Sequence, residues 1–137
     1  MNIIKWDRKF ETGIDIIDFQ HKLILSRGND LIKEINNNGE KASIEVILKD
    51  LFDYLFEHFR FEEQMFSSII YKNKDNHLKE HEYYREKLSV ITRMFLDNEK
   101  DISEEVFIFF DEWITKHIIK TDKDFVKELK KHIKEKR

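Results

Sequence analysis

The side chains best equipped for chemistry in this chain are its histidines. There are 6 of them, at positions 21, 58, 77, 81, 117 and 132, and no cysteine. His77 and His81 stand at i and i+4, a spacing that aims two imidazoles from one helix face at one point. His58 precedes Glu62 by the same interval, and His117 precedes Asp122 by five residues. Imidazole and carboxylate without thiolate suit iron, zinc or manganese. The missing cysteines remove disulfides, thiolate metal sites, Cys-bound iron–sulfur clusters and a Cys nucleophile. No single pair is diagnostic. With 28 acidic residues among 137, a carboxylate four residues after a histidine arises readily by chance. A lone His21 on an apolar stripe is more often a hydrogen-bonded core histidine than a ligand.

The elements that carry these residues read as helices. The chain has no proline and 3 glycines, so long uninterrupted helices are permitted and a turn-rich β fold is disfavoured. Four periodic segments run from about Thr12 to Asn37, Lys41 to Ser67, Asn73 or Asp75 to Asp97, and Ser103 to a fade near Thr121. The first stops at Asn36-Asn37-Asn38-Gly39, Asn73 and Asp75 offer caps for the third, and Ser103 with Glu104 and Glu105 suits the start of the fourth. Their inward stripes are Ile17, His21, Ile24, Gly28, Leu31, Ile35; then Ile44, Ile47, Leu51, Leu55, His58, Glu62, Met65; then His77, His81, Tyr84, Leu88, Ile91, Phe95; and finally Val106, Phe110, Trp113, His117. Each stripe carries histidine where an apolar residue would otherwise stand.

Short breaks between long helices predict an all-α, antiparallel up-down-up-down four-helix bundle. An N-terminal arm is expected over 1–13, and a basic C-terminal tail or short, largely solvated helix over 123–137, with Phe125, Val126, Leu129 and Ile133 as its apolar positions. With 137 residues and 16.9 kDa, the whole of 1–137 reads as a single domain. In such a bundle His21, His58, His77, His81 and His117 fall at the same end and converge on one layer. Leaving so many polar groups unpaired in a core would cost about 1–3 kcal/mol for each, and a metal is the simplest compensation. His132 belongs to no converging set and reads as solvated.

Asp122 needs a local distortion. Five residues beyond His117 it lies about 140° around an ideal helix, so both reach one site only if the helix widens or ends there. A π-type turn is therefore expected near Lys120-Thr121-Asp122.

The charge is near balance, with a formal net of −3, which argues against a nucleic-acid module. No stretch approaches the ~20 apolar residues of a membrane span. The opening Met1 to Phe10 carries charges and no secretory apolar run, making a cytoplasmic location the expectation.

The combined pattern resembles the hemerythrin family, specifically its single-domain bacterial members. The matching pieces are Gln20-His21, His58-x-x-x-Glu62, His77-x-x-x-His81 and Trp113-x-x-x-His117-x-x-x-x-Asp122, with Trp6-Asp7, Phe10, Gly13 and Asp18 resembling the N-terminal arm. This resemblance implies two non-haem iron ions with an oxo or hydroxo bridge. It implies that His77, His81 and His117 bind one iron, that His21 and His58 bind the other, and that Glu62 and Asp122 bridge them. One coordination position is then left open, on the iron with fewer histidines, which suits reversible dioxygen binding. The resemblance also places Ile24, Phe59, Trp113, Ile114 and Ile118 around that position as a dry oxygen pocket. It implies oxygen storage, delivery or sensing rather than an enzyme, in a monomer, with any oxidase or signalling partner unidentified.

Three other readings compete. A carboxylate-rich, ferritin-like di-iron enzyme would use Glu-x-x-His motifs; this chain has none. A zinc hydrolase is suggested by His77-Leu78-Lys79-Glu80-His81, where Glu80 would be the general base, but it leaves His21, His58 and His117 unexplained. A di-iron redox, nitric-oxide or iron-handling protein acting through a partner would keep the site and change its job.

Overall fold

The computed structural model describes residues 3–98 and 101–135, with the side chain of Glu135 outside that description. A 3-10 turn at Arg8–Phe10 is followed by α1 (Asp15–Asn36), α2 (Lys41–Phe66), α3 (Lys74–Leu96) and α4 (Ser103–Glu112). A π-helical segment, Trp113–Asp122, continues into α5 (Lys123–Glu135). No strand occurs among the described residues. The fold is the all-α, antiparallel four-helix bundle expected: α1 packs on α2 and α4, and α3 on the same two. Among the described residues no helix is long and apolar enough to cross a membrane.

The connections follow from local chemistry. α1 ends where Asn38 takes a left-handed φ of 51°, a conformation asparagine tolerates better than other non-glycine residues. A β-carbon at Gly39 would stand 3.0 Å from the Glu34 carbonyl oxygen, a tight contact that glycine avoids as the chain turns. Asn98, with φ 54°, ends α3 in the same way. Asn73 occupies the cap position of α3 without a side-chain cap bond. At the start of α4 the Ser103 amide donates to Asp101 Oδ1 at 3.0 Å, so Asp101 supplies the acceptor there.

Both ends of the chain depart from the sequence expectation. α1 starts at Asp15 rather than Thr12 because Asp18 is buried and draws the preceding backbone to itself. Its carboxylate accepts from the Thr12 amide and hydroxyl, both at 2.8 Å, and from the Gly13 amide at 3.1 Å. Gly13 meets this demand with a φ of 88°, open to glycine at little cost. Further out, Asn29 exchanges two hydrogen bonds with the backbone of Ile4, at 2.8 and 2.7 Å.

At the other end the helix does not fade at Thr121: α4, the π segment and α5 form one unbroken rod from Ser103 to Glu135. Nor is α5 largely solvated. Phe125, Val126 and Leu129 are buried against Ile17, Phe66 and Tyr71, and burying Phe125 alone is worth about 1.5–3 kcal/mol. Ile133 stays exposed and His132 half-buried.

The interior is two apolar clusters with a polar layer between them. The larger contains Ile24, Phe59, Trp113 and Ile118; the smaller contains Ile17, Phe66, Tyr71 and Phe125. Each helix passes from one cluster to the other through one or two histidines. Met65 and Phe95, read as stripe residues, are only half-buried, and Phe66 fills the inward place next to Met65.

Gly28 on α1 faces Phe110 on α4, where an added β-carbon would lie 2.6 Å from Phe110 Cε1. Alanine would favour the helix by about 1 kcal/mol, but overpacking a fixed ring costs about 1–3 kcal/mol. Gly28→Ala is therefore expected to lower stability by about 1 kcal/mol in equilibrium denaturation. A variant as stable as the parent would show that Phe110 moves aside freely.

Candidate metal centre

His21 from α1, His58 and Glu62 from α2, His77 and His81 from α3, and His117 and Asp122 from the π segment meet in the polar layer. All of them have 0% exposure. The side chains that sequence spacing assigns to one layer are therefore brought together.

Asp122 is the centre of the arrangement. Its Oδ2 lies 2.7 Å from His21 Nε2 and 3.2 Å from His58 Nε2. Its Oδ1 lies 2.9 Å from His77 Nε2 and 3.1 Å from His117 Nε2. One carboxylate thus turns an oxygen toward each of two imidazole groups, the arrangement a bridge requires. Glu62 differs. Its Oε1 lies 3.1 Å from His81 Nε2, 3.2 Å from His58 Nε2 and 3.6 Å from His77 Nε2, so a single oxygen faces both groups. Its Oε2 is buried without a hydrogen-bond partner.

The widened helix makes this possible. Over Trp113–Asp122 the backbone adopts π geometry, as the interval between His117 and Asp122 predicts, and both side chains face inward. The Thr121 hydroxyl sits over the wide turn, 3.1 Å from the Lys116 carbonyl five residues back, and its one proton goes to the nearer Glu80 carboxylate at 2.7 Å.

Whether the residues fit a metal pair is decided by their own chemistry. The donor atoms form two groups, each within 4.8 Å: Glu62, His77, His81, His117 and Asp122, and then His21, His58 and Asp122. Ligand atoms about 2.1 Å from a common ion stand about 3 Å apart when at right angles, close to the nitrogen–oxygen separations above. His77 Nε2, His117 Nε2, Glu62 Oε2 and Asp122 Oδ1 are buried with no hydrogen bond of acceptable geometry. Such groups cost about 1–3 kcal/mol each unless something satisfies them. The donor set fits cations, and iron, zinc and manganese are the metals this ligand chemistry suits.

The outer ring nitrogens fix the inner ones. His81 Nδ1 donates to Glu63 Oε2 at 2.6 Å and His58 Nδ1 to Gln20 Oε1 at 2.7 Å, and His77 Nδ1 shares a hydrogen bond with the Tyr71 hydroxyl at 3.0 Å. His117 Nδ1 faces Glu80 Oε1 at the longer distance of 3.4 Å. Carboxylates only accept, so Glu63 and Glu80 hold a proton on Nδ1 and leave Nε2 as the nitrogen that faces the cluster. Glu63 is steadied by Arg85 at 2.8 Å and Glu80 by the Thr121 hydroxyl at 2.7 Å. His21 Nδ1 has no such partner.

Glu80 is thereby placed as a brace behind His117 rather than as a base facing the cluster, and the His-x-x-Glu-His reading loses its general base. Sequence reasoning had no signal for Glu63, Tyr71 or Thr121 as partners, since each lies off the inward stripes. Gln20 was visible beside His21, yet its amide serves His58 on the neighbouring helix.

The apolar surroundings are tight. Phe59 stacks on His81 with ring centroids 4.0 Å apart, and Trp113 meets His21 edge-on at 5.7 Å. Ile24, Ile114 and Ile118 are buried in the same cluster as these two rings. Phe66 and Phe125, which sequence reasoning did not assign to the site, approach His77 at 4.7 and 5.7 Å from the other side.

Burial alone would lower His21, His58 and His117. The charge of Glu62 and the hydrogen bond with Asp122 reverse this for His58, raising it to about 9. Asp122 does the same for His117, raising it to about 10. His21 stays lowered because its desolvation dominates. Burial and mutual repulsion would raise Glu62 and Asp122, but the surrounding imidazoles hold both below the ordinary carboxylate range.

Comparison with known proteins agrees with this geometry. A family model described as "Hemerythrin HHE cation binding domain" matches residues 12–134. A bacteriohemerythrin of Pseudomonas paraeruginosa is 31% identical over 121 residues, covering 88% of this chain and 78% of that protein. One from Clostridium acetobutylicum is 30% identical over 125 residues, covering 88% and 97%. A crystal structure of wild-type hemerythrin superposes with a TM-score of 0.83 at 26% identity, covering 93% of this chain and 98% of that one.

The metal-free cluster makes stability depend on pH. His58 and His117 have raised values in the folded state, so their contribution is complete below the ordinary 6.5 and is lost as pH rises through about 9 and 10. Glu62 and Asp122 have lowered values, so their contribution is complete above the ordinary 4.5 and 3.8 and is lost on acidification. Metal-free protein is expected to be most stable at mildly acidic pH and to weaken steadily toward pH 9 in denaturant titrations. A flat profile from about 6.5 to 9 would contradict the ion-paired cluster.

Proposed function

Because the chain belongs to the hemerythrin family, we propose that it binds dioxygen reversibly at a di-iron centre, for storage, delivery or sensing, without catalysing turnover. The observation that carries this reading is the pair of donor groups sharing Asp122, one with three imidazoles and one with two. In this reading His77, His81, His117, Glu62 and Asp122 hold one iron, and His21, His58 and Asp122 hold the other, with Glu62 Oε1 also facing His58. When bound, the iron pair would supply two-electron exchange with dioxygen at the less crowded end, beside His21 and His58.

The chain's own residues favour binding over activation. Imidazoles outnumber inward carboxylates, whereas high-valent chemistry is served by carboxylate-rich shells such as those of ferritin-like sites. Gln20, Glu63 and Glu80 keep the Nδ1 protons on the outer side of their rings, so no proton donor among these rings faces the cluster once the Nε2 atoms are ligands. Trp113, edge-on to His21, and Ile118, in the same apolar cluster as Trp113, both have 0% exposure and exclude water from that side of the layer. A dry, proton-poor pocket lets oxygen leave as it came.

Two measurements check this reading. Iron-reconstituted, reduced protein is expected to hold about two irons per chain and to develop visible absorption on admission of oxygen that disappears under argon. Irreversible oxidation would indicate a redox or iron-handling role instead. Replacing Ile118 with serine is expected to speed autoxidation several-fold, and an unchanged rate would remove the water-excluding role of that side chain.

A further inference from the structure

The hydrogen bonds behind the imidazoles are not distributed evenly. At the three-histidine end, His81 is backed by the Glu63 carboxylate at 2.6 Å and His117 faces the Glu80 carboxylate at 3.4 Å. At the two-histidine end the partner is neutral: His58 is backed by the Gln20 amide at 2.7 Å, and His21 Nδ1 has none among the described residues. A carboxylate behind an imidazole makes its inner nitrogen a stronger donor and fixes the ring's direction, and losing such a partner typically costs 10–100-fold in metal affinity. The two ends also share Asp122, and Glu62 Oε1 faces nitrogens of both, so the bridging groups do little to separate them.

The outer carboxylates are held as built parts rather than as loose surface charges. Glu63 is fixed by Arg85 at 2.8 Å, whose guanidinium lies 5.3 Å over the Phe59 ring, and Phe59 in turn stacks on His81. Glu80 accepts from the Thr121 hydroxyl at 2.8 and 2.7 Å, from the π segment that also carries His117 and Asp122. Each carboxylate is thus tied both to an imidazole and to the scaffold that orients it.

Resting on the two-metal reading above, we propose that Glu63 and Glu80 are positioning residues that make the three-histidine end the stronger metal position, so that metals load in sequence with His77, His81 and His117 filled first. The greater number of imidazoles already orders the two positions, and the carboxylates widen the gap. Glu63 contributes more than Glu80, because a 2.6 Å bond transmits charge better than one stretched to 3.4 Å.

The test is an anaerobic titration of the metal-free full chain with Co2+, followed by absorption and by paramagnetic NMR, with no oxygen step. The parent is expected to bind in two resolved steps. At one equivalent it should show hyperfine-shifted exchangeable protons from the Nδ1–H groups of His77, His81 and His117 only. Glu63→Gln keeps the size and an accepting oxygen while removing the charge. It is expected to weaken the first step roughly tenfold and leave the second step unchanged, with a smaller loss for Glu80→Gln. Gln20→Glu, which adds a carboxylate behind His58, is expected to strengthen the second step and narrow the gap between the two. Thermal unfolding of each metal-free variant establishes that the bundle is intact. Equal weakening of both steps by Glu63→Gln, or no change in either with Gln20→Glu, would overturn the inference while leaving the metal pair standing. A chain that takes up fewer than two cobalt ions would overturn the two-metal reading and this inference with it.

Discussion

A carboxylate with no exposure must be matched by cationic partners, and Asp122 is the group on which that demand falls hardest. It is fully buried, and each of its oxygens faces a different pair of imidazoles. A regular helix would turn Asp122 about 140° away from His117. The backbone therefore adopts the π geometry of Trp113–Asp122, a conformation rare enough that tertiary interactions must sustain it. Those interactions come from both sides. Thr121 ties the wide turn to α3 by donating to Glu80, and Phe125 beyond it anchors the rod in the smaller apolar cluster. Lys130 then reaches back to the Thr12 carbonyl at 3.0 Å, so α5 also fastens the N-terminal arm.

The polar layer determines how the core is divided. A continuous apolar interior would be the simplest way to stabilise such a bundle, and here it is interrupted by imidazoles from α1, α2, α3 and the π segment and by carboxylates from α2 and the π segment. Aromatic rings close the layer from above and below: Phe59 and Trp113 on one side, Phe66 and Phe125 on the other. These rings contribute apolar burial and present edges and faces to the imidazoles without offering water a path. Their packing and their insulating role are the same physical fact.

Much of this was legible in the sequence, because burial imposes a period. His21, His58, Glu62, His77, His81 and His117 each occupy an inward position of a helical stripe, and alternating helix direction brings them to one level. The π turn was legible from a violation of that period, since His117 and Asp122 cannot share a face of an ideal helix. What escaped was everything set by contacts between helices. Gln20 serves a histidine on α2, Glu63 one on α3, and Glu80 one on the π segment, and no spacing within a single helix encodes such pairings. The unbroken rod escaped for a related reason. Lys120 to Asp124 reads as a polar break, but its continuity is decided by Phe125 finding Ile17, Phe66 and Tyr71 on other elements.

The same atoms link folding, protons and metal. Without a metal, Glu62 and Asp122 can only be matched by charged imidazoles, and that is why His58 and His117 are pushed up to about 9 and 10. A metal ion at those Nε2 atoms needs the lone pairs that the protons occupy, so binding must displace them. The outer hydrogen bonds decide which proton goes. Glu63 and Glu80 secure the proton on Nδ1 of His81 and His117, and the Gln20 oxygen does so for His58, so the exchange is confined to the inner nitrogens. Replacing protons by metal would therefore change the charge inside the layer at the inner nitrogens, while the outer hydrogen bonds that orient the rings involve other atoms.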